Sequence, residues 1–216
     1  MTTHSLTTPR TARLIELGAL DADTEVVYLA YHGYGMDVER FAHWVEGLPP
    51  KQAALCPEGL SRFYWGGFDG PVVASWMTRG QRLAEIDDFC GWLDKVHDQF
   101  LSRAPSARLV PLGFSQGAAT IMRWLDRRRP PYDQIVLWSG TPPEDIDYAP
   151  RDYFASRPLQ VFWGESDELV PWARARVCFD EVGLPYRLTS TPGGHRIDAS
   201  TWANFARSLT AGAPDL

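Results

Sequence analysis

The sequence predicts an α/β fold, one mostly parallel sheet with helices on both faces. Three observations carry this. From residue 26 onward, short apolar, β-branched or aromatic runs alternate with longer amphipathic segments, the pattern of parallel strands joined by crossover helices. One junction, residues 109–119, passes from an apolar strand through Gly113-Phe114-Ser115-Gln116-Gly117 into small residues that open a helix. The 216 residues also suit one sizeable core, and neither an internal repeat nor a linker divides them.

Residues 1–9 are polar and Thr-rich and read as a disordered tail, so the domain is expected over 10–216. Weak alternation over 11–18 reads as an edge strand, and 26–31 as a buried strand ending in His32-Gly33-Tyr34-Gly35. Asp37 is placed to cap a helix to about residue 46, with Phe41, Trp44 and Val45 inward. Pro49-Pro50 ends it, and 52–56 is a short buried strand. Residues 57–79 show no regular period, because Gly59, Gly66, Gly67, Gly70 and Pro71 interrupt it, yet Phe63, Tyr64, Trp65, Phe68 and Trp76 crowd the same stretch. A loop this long and this aromatic is expected to be an excursion over a functional site.

Residues 82–101 give the clearest helical period, through Leu83, Ile86, Cys90, Leu93, His97 and Phe100. A strand at 108–112 leads to the Gly-x-Ser-x-Gly turn and a helix to about residue 129, stopped by Pro130-Pro131. A strand at 134–138 precedes a polar, Pro-rich loop over 139–157. A strand at 159–163 leads through Gly164-Glu165-Ser166-Asp167-Glu168-Leu169-Val170-Pro171 to a helix over 171–181. The last strand, 186–191, leads through Gly193-Gly194-His195 to a helix over 197–209.

Sites in open α/β sheets form beyond the carboxyl ends of the strands. Four features fall there: the 32–35 loop, Ser115, Asp167 and His195. In a strand–turn–helix this tight, a side chain at Gly113 or Gly117 would strike backbone, and the serine is presented at the strand end as a nucleophile elbow. A serine hydroxyl needs a base, and His195, in a Gly-Gly-His loop that can bend back over the serine, is the best candidate. The base needs a carboxylate to fix its tautomer. Asp167 is the best placed, with Glu165 and Glu168 as alternatives. The order Ser115, Asp167, His195, at intervals of 52 and 28 residues, is that of an α/β-hydrolase. For an oxyanion, the Gln116 amide at the helix start is the natural first donor. The Tyr34 amide, freed by Gly33 and Gly35, is the second. Met36, Trp65, Trp76 and Phe114 are candidate pocket residues. His32 is expected to brace the 32–35 loop rather than act as the base.

His-Gly-Tyr-Gly, Gly-Phe-Ser-Gln-Gly, Gly-Glu-Ser-Asp-Glu-Leu-Val-Pro and Gly-Gly-His-Arg-Ile together resemble the small carboxylesterase and acyl-protein-thioesterase-like branch of the α/β-hydrolases, over about residues 26–208. The resemblance implies a single-domain α/β-hydrolase fold with Ser115, Asp167 and His195 as the triad and Tyr34 and Gln116 as the oxyanion residues. The family often carries Leu where Tyr34 stands and Glu where Arg196 stands, and the 59–79 stretch is more aromatic than a protein thioesterase suggests. The chemistry expected is hydrolysis of carboxylic esters, short to medium in acyl length, through an acyl-enzyme. Thioester hydrolysis, acyl transfer or peptidase activity with the same triad, and a non-catalytic binding protein of the same fold, are the alternatives.

Composition limits the partners. A net charge of −6 offers no basic patch for nucleic acid, and no apolar run reaches the roughly 18 residues of a membrane span. Cys56, Cys90 and Cys178 are odd in number and widely spaced, so neither a disulfide framework nor a zinc site is expected. No metal and no cofactor is required by the chemistry. The partner is a small-molecule ester, a homodimer is left open, and with no apolar leader in the first residues a cytoplasmic location is expected.

Overall fold

The computed structural model describes residues 1–148 and 153–210. Seven strands form one sheet in the order β1-β3-β2-β6-β7-β8-β9. They are β1 (Leu14–Leu17), β2 (Val26–Tyr31), β3 (Gln52–Pro57), β6 (Arg108–Phe114), β7 (Val136–Trp138), β8 (Leu159–Gly164) and β9 (Tyr186–Thr191). All neighbours pair in parallel except β1, which runs antiparallel to β3 at the edge. The helices are α1 (Val38–Trp44), α2 (Arg82–Phe100), α3 (Gln116–Arg128), α4 (Trp172–Val182) and α5 (Ala199–Ser208).

The central strands are buried on both faces, and their side chains divide by parity. Val27, Leu29 and Tyr31 of β2 pack in one core with Ile86, Phe89 and Leu93 of α2, Ile121 and Leu125 of α3, and Phe179 of α4. Val26, Tyr28 and Ala30 pack in a second core with Phe41 of α1 and Trp202 and Ala206 of α5. Each such Leu or Phe contributes roughly 1.5–3 kcal/mol by leaving water. The mostly parallel sheet thus carries helices on both faces, as expected.

Capping explains two helix starts. Asp37 accepts the Glu39 amide at 3.1 Å, and Asp198 accepts the Thr201 amide at 2.8 Å, each satisfying an otherwise orphaned N–H. On α2 the inward face is Ile86, Phe89, Cys90, Leu93 and Val96. Leu83, expected inward, is 70% exposed, and the buried face of α2 begins one turn later at Ile86. His97 sits half-buried over Trp124 with its Nδ1 on Asp98.

The stretch at 57–79 is partly regular, where the sequence showed no period. It is an antiparallel hairpin of β4 (Ser61–Tyr64) and β5 (Val72–Ser75). The strands are only four residues each, too short to outweigh the intervening glycines in a period count. Gly66 and Gly67, both at positive φ, make the turn that joins them. Alternation of strand and helix is therefore not strict in this stretch. Part of the polar loop expected over 139–157 lies outside the described residues, as does the segment 211–216. Among the described residues, no helix is long and apolar enough to cross a membrane.

Candidate active site

The six strands β2, β3, β6, β7, β8 and β9 present their carboxyl ends at one edge of the sheet, and the candidate residues are found there. β6 ends at Phe114 and α3 begins at Gln116, so Ser115 alone makes the turn, at φ 52° and ψ −117°. An L-residue seldom adopts this conformation, which costs of order 1–3 kcal/mol. The surroundings enforce it. A Cβ on Gly113 would stand 2.5 Å from the Ala118 Cα, and one on Gly117 would overlap the Tyr31 carbonyl oxygen. The Ser115 amide donates to the Trp138 carbonyl at 2.9 Å, and its carbonyl accepts from Ala118 at 3.0 Å. Its hydroxyl makes no hydrogen bond among the described residues.

Asp167 lies three residues past the end of β8. Its side chain is fully buried, and it accepts from His195 Nδ1 at 2.8 Å and from the Val170 amide at 2.9 Å. The alternatives Glu165 and Glu168 are exposed. Two backbone bonds lace the aspartate loop to the histidine loop, Glu165 N–H to the Thr191 carbonyl and Ser166 N–H to the Gly193 carbonyl, both at 3.0 Å. A carboxylate only accepts, so the neutral His195 ring carries its proton on Nδ1 and a lone pair on Nε2. The ring packs on Phe114, centroids 4.9 Å apart, beside Ser115. No hydrogen bond joins His195 Nε2 to Ser115 among the described residues.

On the other flank of the serine, a Cβ on Gly33 would stand 3.1 Å from the Ser115 Cβ, so the loop after β2 abuts the elbow. The Tyr34 and Gln116 amides, the two expected oxyanion donors, donate to no protein acceptor among the described residues. His32 is fully buried, with Nε2 accepting the Gly59 amide at 2.9 Å and Nδ1 on the Gly33 carbonyl at 2.7 Å. Burial pushes its imidazole down to about 4. Both nitrogens are committed to holding the 32–35 loop against 57–59, the bracing role expected of it.

The pocket candidates divide. Trp65 is half exposed and packs against Gly35, where a Cβ would overlap its ring. Met36 is partly buried and its Sδ takes the Gly33 amide at 3.3 Å. Phe114 is 2% exposed, wedged between His195 and Trp44, so it supports the histidine. Trp76 corrects the sequence reading: it is 1% exposed, packs on Tyr31, His32 and Phe89, and donates from Nε1 to the His32 carbonyl at 2.8 Å. An indole that satisfies its N–H inside the core has no need of a ligand.

One functional contact had no signal in the sequence. The Gln116 side chain accepts the Trp76 amide at 3.1 Å and donates to the Met77 carbonyl at 2.8 Å, stapling the end of β5 to the elbow. The position of Gln116 suggested only its backbone amide. Among the described residues, no cluster of His, Cys, Asp and Glu could hold a metal ion.

A family model described as serine hydrolase (FSH1) matches residues 49–202, a span that includes Ser115, Asp167 and His195. No curated protein sequence matches the chain. Among solved structures it is similar to acyl-protein thioesterase 2 of Zea mays, at 17% identity and a TM-score of 0.69, covering 94% of this chain and 100% of that one. It is similar also to a carboxylesterase of Mesorhizobium loti, at 18% identity and a TM-score of 0.65, covering 94% and 100%. A third is a Bacillus cereus carboxylesterase, at 13% identity and a TM-score of 0.64, covering 92% and 93%. At such identities the likeness is one of fold, here the α/β-hydrolase fold.

Proposed function

The chain belongs to the serine hydrolase (FSH1) family, and on that premise we propose that it cleaves carboxylic esters of short to medium acyl length through an acyl-enzyme on Ser115. The observation that carries this reading is His195, tied through Nδ1 to the buried Asp167 and left with a free Nε2 against Phe114, the neighbour of the serine. Substrate binding has to tighten the approach of Nε2 to the hydroxyl, as is common for catalytic hydrogen bonds in unliganded sites.

The steps follow from the residues. His195 Nε2 takes the proton from the Ser115 hydroxyl as its oxygen attacks the acyl carbon. Negative charge moves to the former carbonyl oxygen, where the uncommitted Tyr34 and Gln116 amides are available to hold it. The positive end of α3 adds to this. Asp167 steadies the imidazolium, which then protonates the leaving alcohol. Water, deprotonated by the same nitrogen, releases the acid and restores the serine.

A fluorophosphonate probe and a p-nitrophenyl ester test the proposal together. The wild-type chain is expected to label on Ser115 and turn the ester over. Ser115→Ala is expected to lose the label and roughly 10⁴- to 10⁶-fold in kcat. Full turnover by that variant, or a wild-type chain with neither label nor turnover, removes the nucleophile and leaves a binding protein on a hydrolase fold. Matched oxygen esters and thioesters of one acyl group then set the leaving-atom preference.

A further inference from the structure

The β4–β5 hairpin leaves aromatic surface in the open beside the site. Trp65 and Tyr34 are each 50% exposed. Phe63 and Trp65 fall on one face of their strand by the two-residue period, and the Trp65 amide extends the ladder by donating to the Pro71 carbonyl at 2.9 Å. That face meets the loop after β2. Tyr34 lies 5.6 Å from Phe63 and 6.0 Å from Trp65 between ring centroids, and Phe63 lies 6.1 Å from Trp65. The three rings form one continuous shelf. It begins at Tyr34, whose amide is a candidate oxyanion donor, and that residue follows Gly33, which abuts Ser115.

The shelf is held rigidly. Gly35 N–H donates to the Ala74 carbonyl and Ala74 N–H to the Met36 carbonyl, both at 2.9 Å. The Trp76 amide is fixed by the Gln116 side chain. Such a surface is preorganised, and a ligand seated on it does not have to order it. Its three residues, Tyr34, Phe63 and Trp65, are uncharged side chains. Arg62, the basic residue between Ser61 and Phe63, is bound at 2.5 Å by Glu58, whose side chain is only 4% exposed.

We infer that Tyr34, Phe63 and Trp65 seat an uncharged aromatic ring of the ester, making aryl-bearing esters the preferred substrate class. This rests on the Ser115 reading above. A planar ring covers an open shelf without losing rotamers, whereas a linear alkyl chain of the same area must be straightened to do so. Offset and edge-on ring contacts add an attraction that alkyl groups lack.

The test compares kcat/KM by acid release for ethyl phenylacetate against ethyl hexanoate and for benzyl acetate against hexyl acetate, with ethyl acetate as the small reference. It uses the full chain, Trp65→Ala, Trp65→Leu and, as a hairpin-tip control, Phe68→Ala, each also labelled with the fluorophosphonate. The wild type is expected to favour the ring over the matched chain in at least one pair. Both Trp65 variants are expected to lower that ring-to-chain ratio roughly three- to tenfold, and Phe68→Ala to keep it. Equal loss on all five esters would mean that Trp65 only braces Gly35, and would overturn the proposal. So would labelled Ser115 with an unchanged ratio in both pairs. A wild-type chain with no label and no turnover would instead remove the nucleophile on which the shelf depends.

Discussion

Two histidines flank Ser115, and their surroundings could hardly differ more. His32, on the β2 side, is fully buried with both nitrogens spent on backbone, one on Gly33 and one on Gly59. His195, on the β8–β9 side, spends one nitrogen on Asp167 and keeps the other. A ring with both nitrogens engaged and its protonated form disfavoured by burial can only hold a loop. A ring anchored at one end by a carboxylate can accept and return a proton. The sheet edge is thus divided: the β2 side is scaffold around two uncommitted amides, and the β8–β9 side carries the acid–base pair.

The sharpest break in that comparison comes from the acid–base side. Asp167→Asn preserves size but can present its amide to Nδ1, favouring the wrong imidazole tautomer. A loss of about 10⁴-fold in kcat is expected, with thermal unfolding little changed and the serine still present. Ester turnover within tenfold of wild type would show that His195 is oriented by something other than Asp167, and the division would fail.

The next effect is on stability and belongs to His32. Its folded-state value lies near 4, below the ordinary 6.5, so between those pH values the unfolded chain binds a proton that the folded chain refuses. The stability contributed by keeping the ring neutral is fully present above pH 6.5. It declines as pH falls through the 6.5–4 window and levels off below. The full decline attributable to this ring is about 3 kcal/mol. Urea unfolding of wild type and His32→Gln at pH 7 and pH 4.5 checks it: the variant is expected to be less stable at pH 7 and to lose less on acidification. Parallel losses in the two proteins would show that His32 is not held neutral by the fold.

The two sides were unequally legible in the sequence. Ser115, Asp167 and His195 each sit in short motifs at strand ends, and strand ends were readable because buried parallel strands are nearly continuous apolar runs. Val26–Tyr31 and Leu159–Gly164, buried along almost their whole length, were found in place for that reason. The scaffold around the β2 loop was harder. The hairpin at 61–75 has four-residue strands interrupted by glycines, and no local period marks it. Trp76 read like its neighbour Trp65 because both are indoles in one irregular stretch. What separates them is a long-range bond, Trp76 Nε1 to the His32 carbonyl, across 44 residues of chain. The Gln116 staple is of the same kind, spanning some 40 residues to a backbone segment that no local pattern places beside it.

That staple supplies the smallest effect and the finest test of the scaffold side. Gln116→Ala keeps the backbone amide that is the candidate oxyanion donor but deletes the side chain that fixes Trp76 N–H and the Met77 carbonyl. The Trp76 N–H loses its partner while the Met77 carbonyl keeps the Ser75 hydroxyl at 3.1 Å, a destabilisation of about 1–3 kcal/mol. If the side chain serves only to hold β5 to the elbow, kcat/KM for a small ester should fall no more than about tenfold while the unfolding midpoint drops and the hairpin amides exchange faster with solvent. Gln116→Glu offers a contrast, since its carboxylate can accept from the Trp76 amide but cannot donate to the Met77 carbonyl, and it is expected to lie between wild type and Gln116→Ala in stability. A collapse of turnover in Gln116→Ala without loss of stability would move this side chain from the scaffold to the reacting atoms, and the division between the two flanks of Ser115 would have to be redrawn.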